Sequence, residues 1–194
     1  MPADMKRARF IVLALLCLVA ACGRSDSGWH ATDITGAMPA LDLAMTRAND
    51  GKAVSAADYK GKVALLYFGY THCPDICPTT LANLAEVLQK LGSHADDVRV
   101  LFVTVDPDRD SQALMKGYVN SFAPQVDGLR GTPDQLTALA RRYRVAFSVT
   151  VGPPYEVMHS NAVFVFDKTG RARLVATETK DVEGLTSDIG KLLQ

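Results

Sequence analysis

The sequence predicts an α/β sandwich with a mixed central sheet, followed near its end by a β-hairpin and a closing helix. Two apolar runs, residues 62–70 and 98–105, are each followed by a segment whose apolar residues recur at helical spacing. Further along the chain, residues 161–177 have the pattern of strand, turn and strand. Because strands and helices alternate before this hairpin, we expect both parallel and antiparallel pairs in the sheet.

The two apolar runs are predicted to form the centre of the sheet. Residues 62–70 (KVALLYFGY) are almost continuously apolar or aromatic, which is typical of a strand buried on both faces. A helix is predicted over 78–91, since it begins with proline and its leucines recur at helical spacing. The second strand, 98–105, is expected to end where Asp106 and Pro107 follow it.

The remaining predicted elements complete the sandwich. Three further helices are predicted from apolar residues on one helical face, over residues 111–122, 132–143 and 181–193. Thr132 is the expected N-cap of the middle one and Pro133 its first-turn proline. The hairpin strands are predicted over 161–166 and 171–177, joined by an Asp-Lys-Thr-Gly turn.

The first 21 residues have the pattern of an export signal. Basic residues precede an apolar run over 10–18, and the small residues Ala20 and Ala21 stand directly before Cys22. The apolar run is well short of the roughly 20 residues that a membrane-spanning helix needs. We therefore expect cleavage and export of the chain.

Residues 18–23 (LVAACG) resemble a bacterial lipobox, in which the cysteine is acylated at sulfur and becomes the new N-terminus. The alternative is ordinary cleavage near Ala21, with Cys22 incidental. The domain organisation that follows is a lipoprotein signal peptide (1–21), a flexible tether (22–31) and one domain (32–194). The expected location is the bacterial cell envelope, with the protein anchored to a membrane and facing the periplasm.

Charge and cysteine content exclude several classes of function. The chain has 21 Lys and Arg against 21 Asp and Glu, so its formal net charge is +0, and we find no local basic patch. Nucleic acid is therefore not an expected partner. The 4 cysteines are too few for a disulfide scaffold. No glycine-rich loop opens a helix in the way that nucleotide binding requires.

Cys73 and Cys77 follow the first predicted strand and lie at the start of the helix after it. Because free N–H groups and the helix dipole favour thiolate there, we expect both thiols to be more acidic than usual. Sulfurs four residues apart can share a metal ion or form a disulfide. A structural disulfide and thiol–disulfide exchange stay open, but the usual redox motif has only two intervening residues. The longer spacing favours a metal site.

The residues around this pair resemble a known family. Residues 67–78 (YFGYTHCPDICP) are similar to the signature of the SCO/SenC copper-binding proteins. Two further landmarks follow in the family's order, 103–110 (VTVDPDRD) and 158–160 (MHS). The resemblance extends over roughly residues 41–193.

This resemblance implies a thioredoxin-like fold and copper, as Cu(I) or Cu(II), bound by Cys73, Cys77 and His159. It also implies a chaperone that receives copper from other periplasmic carriers. The recipient is the cytochrome c oxidase subunit that carries the dinuclear copper centre. The donors agree with this role, because thiolates favour Cu(I) and imidazole suits either oxidation state. One departure from the family is Met158, often acidic there, whose thioether is a candidate for a weak copper contact.

A rival interpretation makes the same two cysteines catalytic. In a thiol-disulfide reductase that keeps the oxidase's copper-ligand cysteines reduced, Cys73 is the attacking thiol and Cys77 the resolving thiol. A peroxidase of the thioredoxin superfamily is disfavoured, because Tyr70 stands where such an enzyme has a threonine or serine.

Polar residues beside these motifs have less specific interpretations. His72 is predicted to be a packing or turn residue whose side chain points away from the sulfurs. Asp106, Arg109 and Asp110 are predicted to form either a surface recognition feature or a turn and helix cap.

Overall fold

The computed structural model describes residues 28–194, which form an eight-stranded sheet with helices on both faces and a separate two-stranded sheet. The strands are Thr32–Asp33 (β1), Ala44–Arg47 (β2), Ala53–Ser55 (β3), Val63–Gly69 (β4), Val98–Thr104 (β5), Val126–Arg130 (β6), Phe147–Thr150 (β7), Glu156–His159 (β8), Val163–Phe166 (β9) and Ala172–Ala176 (β10). The helices are Ile76–Leu91 (α1), Gln112–Asn120 (α2), Pro133–Arg142 (α3) and Val182–Leu193 (α4), with short 3-10 helices at Ala56–Tyr59 and Gly92–Asp97.

The large sheet is mixed, as predicted. Its strand order is β1-β10-β9-β4-β5-β6-β2-β3. β5 pairs in parallel with β4 and β6, and the remaining pairs are antiparallel. β9 and β10 form the predicted hairpin. β4 therefore lies in the interior of the sheet, with β5 on one side and β9 on the other.

Every residue of β4 is buried, because helices or loops cover both faces of the sheet. Successive side chains of a strand point to opposite faces. Leu65 and Tyr67 accordingly pack into a core with α1, α2 and α4, whereas Leu66 and Phe68 pack into a second core with α3. The continuous apolar run of β4 is explained by these two cores.

The elements predicted from strong periodicity are confirmed, with shifts at their ends. The first helix begins at Ile76 rather than at residue 78, and α2 ends at Asn120 rather than at residue 122. β1, β2, β3 and β6 were not predicted. β6 contains Asp127 and Gly128, which disfavour strands, but pairing with β5 and β2 outweighs that preference.

The two-stranded sheet of β7 and β8 was also not predicted from the sequence. Its register places Phe147 opposite His159. His159 is the last residue of β8. The short alternating pattern of partly buried and exposed residues explains why this sheet escapes sequence analysis.

The predicted signal peptide and Cys22 lie outside the described residues. Within residues 28–194, no helix is long and apolar enough to span a membrane. The backbone N–H groups of His30 and Ala31, at the end of the predicted tether, donate to the buried carboxylate of Asp188 in α4 at 2.9 and 2.8 Å.

Candidate metal centre

The turn between β4 and α1 places the two cysteines. β4 ends at Gly69, Cys73 lies in the turn, and Cys77 lies in the first turn of α1. Cys77 is fully buried in the core beneath the helix, whereas Cys73 is partly exposed. The backbone N–H of Cys77 donates to the Cys73 sulfur at 3.4 Å. One sulfur thus faces solvent and the other faces the core.

Gly69 makes room for the buried sulfur. A Cβ added at this residue would lie 2.8 Å from the Cys77 sulfur and 2.5 Å from the ring of Phe102. Both distances are shorter than van der Waals contact. The site therefore requires glycine at the end of β4.

His159 completes the group from the other side. Its Nε2 lies 3.2 Å from the Cys77 sulfur, and its Nδ1 lies 2.9 Å from the backbone carbonyl oxygen of Ser160. A proton on Nδ1 is donated to that carbonyl, which leaves the Nε2 lone pair directed at the sulfurs. The rings of Tyr70 and Tyr67 contact the imidazole edge to face, with centroids 5.7 and 6.1 Å away.

The ligand atoms of Cys73, Cys77 and His159 all lie within 4.8 Å of one another. Among residues 28–194, this is the one group of three or more Cys, His, Asp or Glu side chains that is arranged to hold a metal ion. Two sulfurs and one imidazole are donors that suit copper in both of its common oxidation states. The predicted ligand residues are thus brought together, although His159 follows Cys77 by 82 residues in the chain.

The two thiols differ in acidity. Burial raises the pKa of Cys77 to about 12. Burial acts in the same direction on Cys73, but hydrogen bonds from the backbone N–H groups of Cys77, Asp75 and Ile76 outweigh it and lower that pKa. The expectation of enhanced acidity is therefore correct for Cys73 and wrong for Cys77. The sequence reveals the helix N-terminus but not the depth at which the second sulfur is buried.

Asp110 anchors the turn that carries Cys73. Its buried carboxylate accepts hydrogen bonds from the N–H and hydroxyl of Thr71, at 3.0 and 2.6 Å, and from the hydroxyl of Thr104 at 2.6 Å. His72 turns its Nδ1 toward the same carboxylate at 3.4 Å, which agrees with its predicted role as a turn residue.

Of the two alternatives for Asp106, Arg109 and Asp110, a surface recognition feature is wrong for the two aspartates, because both are almost fully buried. The predicted turn is present, since the N–H of Asp110 donates to the carbonyl oxygen of Asp106 at 3.0 Å. The loop after β5 packs against the cysteine turn, so these carboxylates accept hydrogen bonds from the site's own framework. Nor is either one the cap of α2, because Ser111 is its N-cap and accepts from the N–H of Leu114. Sequence analysis missed this supporting role, and the only signal for it was the density of Asp residues in the motif.

One side of the metal centre is open. A groove of about 480 Å³ runs past Cys73 and His159, and Ile76 and Met158 stand partly or largely exposed on its rim. Met158 is 70% exposed and precedes His159 in β8, so the two side chains project to opposite faces of that strand. The structure therefore does not support a thioether contact from Met158.

The fold and the site define a thioredoxin-like protein with a partly open metal centre of two thiols and one imidazole. Comparison with known proteins identifies its family. The family model for SCO1/SenC matches residues 45–194. The chain belongs to the SCO1/SenC family, and the resemblance seen in the sequence is confirmed.

Relatives and solved structures agree with this assignment. "Protein SCO2 homolog, mitochondrial" of Bos taurus is 38% identical over 146 residues, which are 72% of this chain and 54% of the relative. The copper-bound structure of Bradyrhizobium japonicum ScoI is 37% identical, covers 79% of this chain and 99% of its own, and has a TM-score of 0.72. The apo Sco1 structure from Thermus thermophilus is 30% identical, covers 88% and 100%, and has a TM-score of 0.76. The chain spans about half the length of the curated relatives it matches.

Proposed function

We propose that this protein is a copper chaperone that holds copper through Cys73, Cys77 and His159 and delivers it to the dinuclear copper site of cytochrome c oxidase. The observation that carries the proposal is the convergence of these three ligand atoms within 4.8 Å beside an open groove. Copper-bound structures of similar proteins from Bradyrhizobium japonicum and Arabidopsis thaliana support the choice of metal.

The arrangement suits transfer rather than storage. Three protein ligands leave copper open to a fourth ligand, which a partner's thiol or imidazole supplies through the groove. Cys73 is the more exposed sulfur and has the more acidic thiol, so it is the ligand that a partner meets first. Cys77 must lose its proton when it binds the ion, so copper uptake releases protons.

We further propose that the chaperone works at a membrane surface. The lipobox-like residues 18–23 would place a lipid on Cys22, and the predicted tether over residues 22–31 would hold the domain in the periplasm of a bacterial cell envelope. Its partners would be other periplasmic copper carriers and the oxidase subunit that carries the dinuclear centre. Mass measurement of the chain isolated from membranes, before and after enzymatic removal of lipid, tests the anchor.

Copper titration of the full chain tests the ligand assignment. C73S and C77S are expected to lower the affinity for Cu(I) by more than about 100-fold, because each removes a direct ligand. H159A is expected to weaken Cu(II) more than Cu(I), because thiolates alone satisfy the softer ion. The matched control is H94A, which removes an exposed imidazole in the 3-10 helix Gly92–Asp97. Equal affinities in the wild type and all three site variants would refute the assignment.

A second candidate function is thiol-disulfide reduction. It is favoured by the contrast between a partly exposed thiol of lowered pKa at Cys73 and a buried thiol of raised pKa at Cys77. This contrast is what an attacking and a resolving cysteine need. Reduced protein mixed with an oxidised dithiol peptide in the absence of copper separates the two functions. Rapid disulfide transfer supports the reductase, and inertness supports the chaperone.

A further inference from the structure

We propose that Asp106, Arg109 and Tyr155 form a latch that positions His159 against the cysteine turn. Asp106 and Arg109 lie in the loop after β5, whereas Tyr155 lies just before β8. The loop after β5 contacts both halves of the metal centre, although it supplies no ligand. The three residues are therefore positioning residues rather than ligands. The expected effect of the latch on copper binding rests on the proposed function, whereas its effect on the hairpin of β7 and β8 does not.

The strand that carries His159 needs such a support. β7 and β8 form a sheet of their own and share no ladder with the eight-stranded sheet. Phe147 and Val157 pack only partly against the core. A two-stranded hairpin is marginally stable by itself, so contacts from elsewhere must hold its end in place.

The latch supplies contacts just before β8. The hydroxyl of Tyr155 donates to Oδ1 of Asp106 at 2.8 Å, and Nε of Arg109 donates to the other carboxylate oxygen. The guanidinium carbon of Arg109 also lies 3.8 Å from the centroid of the Tyr155 ring. Asp106 is 1% exposed, so its carboxylate depends on these donors. Cation–π contact adds to the hydrogen bonds.

The same loop is bound to the cysteine turn. Val105 donates its N–H to the carbonyl oxygen of Gly69 at 2.8 Å, and Asp110 holds Thr71, two residues before Cys73. The guanidinium of Arg109 lies 5.8 Å from the ring of Tyr70, whose edge-to-face partner is His159.

The loop after β5 thus links the segment before Cys73 to the segment before His159. The imidazole and the sulfurs lie on elements with no shared ladder, so this link adds to the direct contacts that His159 makes with Cys77 and with two tyrosine rings. We infer that the latch keeps Nε2 of His159 within reach of an ion that is held by the two sulfurs.

The test uses the full chain with Y155F and R109Q. Y155F removes one hydroxyl and keeps the ring under Arg109, whereas R109Q removes both the ion pair and the cation–π contact. In the metal-free protein, amide hydrogen exchange in β8 is expected to become at least about tenfold faster, while exchange in β5 stays unchanged. In the protein loaded with Cu(II), release of copper to a chelator is expected to become about tenfold faster. The sulfur-to-copper absorption should persist, and the nitrogen signal of His159 in electron paramagnetic resonance should weaken.

The matched control is R142Q, because Arg142 also pairs with an aspartate and lies 6.0 Å from a tyrosine ring centroid, that of Tyr143 in the second core. R142Q should leave both readouts unchanged. Unchanged exchange in β8 of both latch variants would overturn the proposal, as would equally faster exchange in β5. If the wild type fails to bind copper, the proposed function fails, and the exchange measurement still decides the latch.

Discussion

Cys73 and Cys77 have the same side chain and lie in one short turn, yet the pKa values of their thiols shift in opposite directions. Burial dominates at Cys77 and raises its pKa, while hydrogen bonds from backbone N–H groups lower the pKa of Cys73. Tyr67 adds a hydroxyl that faces the Cys77 sulfur at 3.6 Å. Differences in burial and in hydrogen bonding thus give two cysteines of one turn different acidities.

At this scale the sharpest test of packing is G69A. The added methyl group would overlap the Cys77 sulfur and the Phe102 ring, so we expect the free energy of unfolding to fall by about 1–3 kcal/mol. Copper affinity should fall as well, because the sulfur must move. Chemical denaturation and copper titration of the full chain measure the two effects.

The control for G69A is G117A, where an added Cβ would have no heavy atom within 4 Å. Because Gly117 lies within α2, alanine there should be neutral or should stabilise the protein by up to about 1 kcal/mol. Equal stability of G69A and the wild type would show that the close approach at Gly69 is not a constraint.

At the scale of elements, the sequence predicts those that bury a long apolar surface. β4 and α3 could be recognised, because the first is a continuous apolar run and the second has a capping box at Thr132. β6 and β8 could not, since each is short and depends on partners distant in sequence. The same limit explains the site. The cysteine pair follows from a local motif, whereas His159 was assigned through family resemblance and its place at a strand end came from the structure.

The turn between β9 and β10 makes a prediction about pH. Burial by itself raises the pKa of Asp167, but the hydrogen bonds from Thr169 and Arg171 together outweigh it and lower that pKa. Since its pKa is lower in the folded state, the stabilisation is complete above the unfolded-state pKa of about 3.9 and is lost as pH falls through the folded-state pKa.

D167N should therefore lower the free energy of unfolding by about 2 kcal/mol at pH 7. Below about pH 4 the stability of the variant should fall less steeply than that of the wild type, because the variant has no carboxylate to protonate at this position. Denaturation curves collected between pH 7 and pH 3 measure both. Parallel curves for wild type and variant over that whole range would contradict this assignment.

At the scale of the whole molecule, the metal centre lies where the carboxyl end of β4, the start of α1 and the end of β8 meet. Ligands of α/β proteins commonly bind at the carboxyl ends of strands. Cys77 is buried in one core of the large sheet, while His159 lies in the small sheet, which contacts the loop after β5 through Tyr155.

X-ray absorption at the copper edge of the copper-loaded full chain tests the central claim most directly. The account predicts one copper per chain, bound by two sulfurs and one imidazole nitrogen. It also predicts that H159A loses the nitrogen and that C73S and C77S each lose one sulfur. A spectrum with fewer than two sulfurs in the wild type, or one that H159A leaves unchanged, would contradict it.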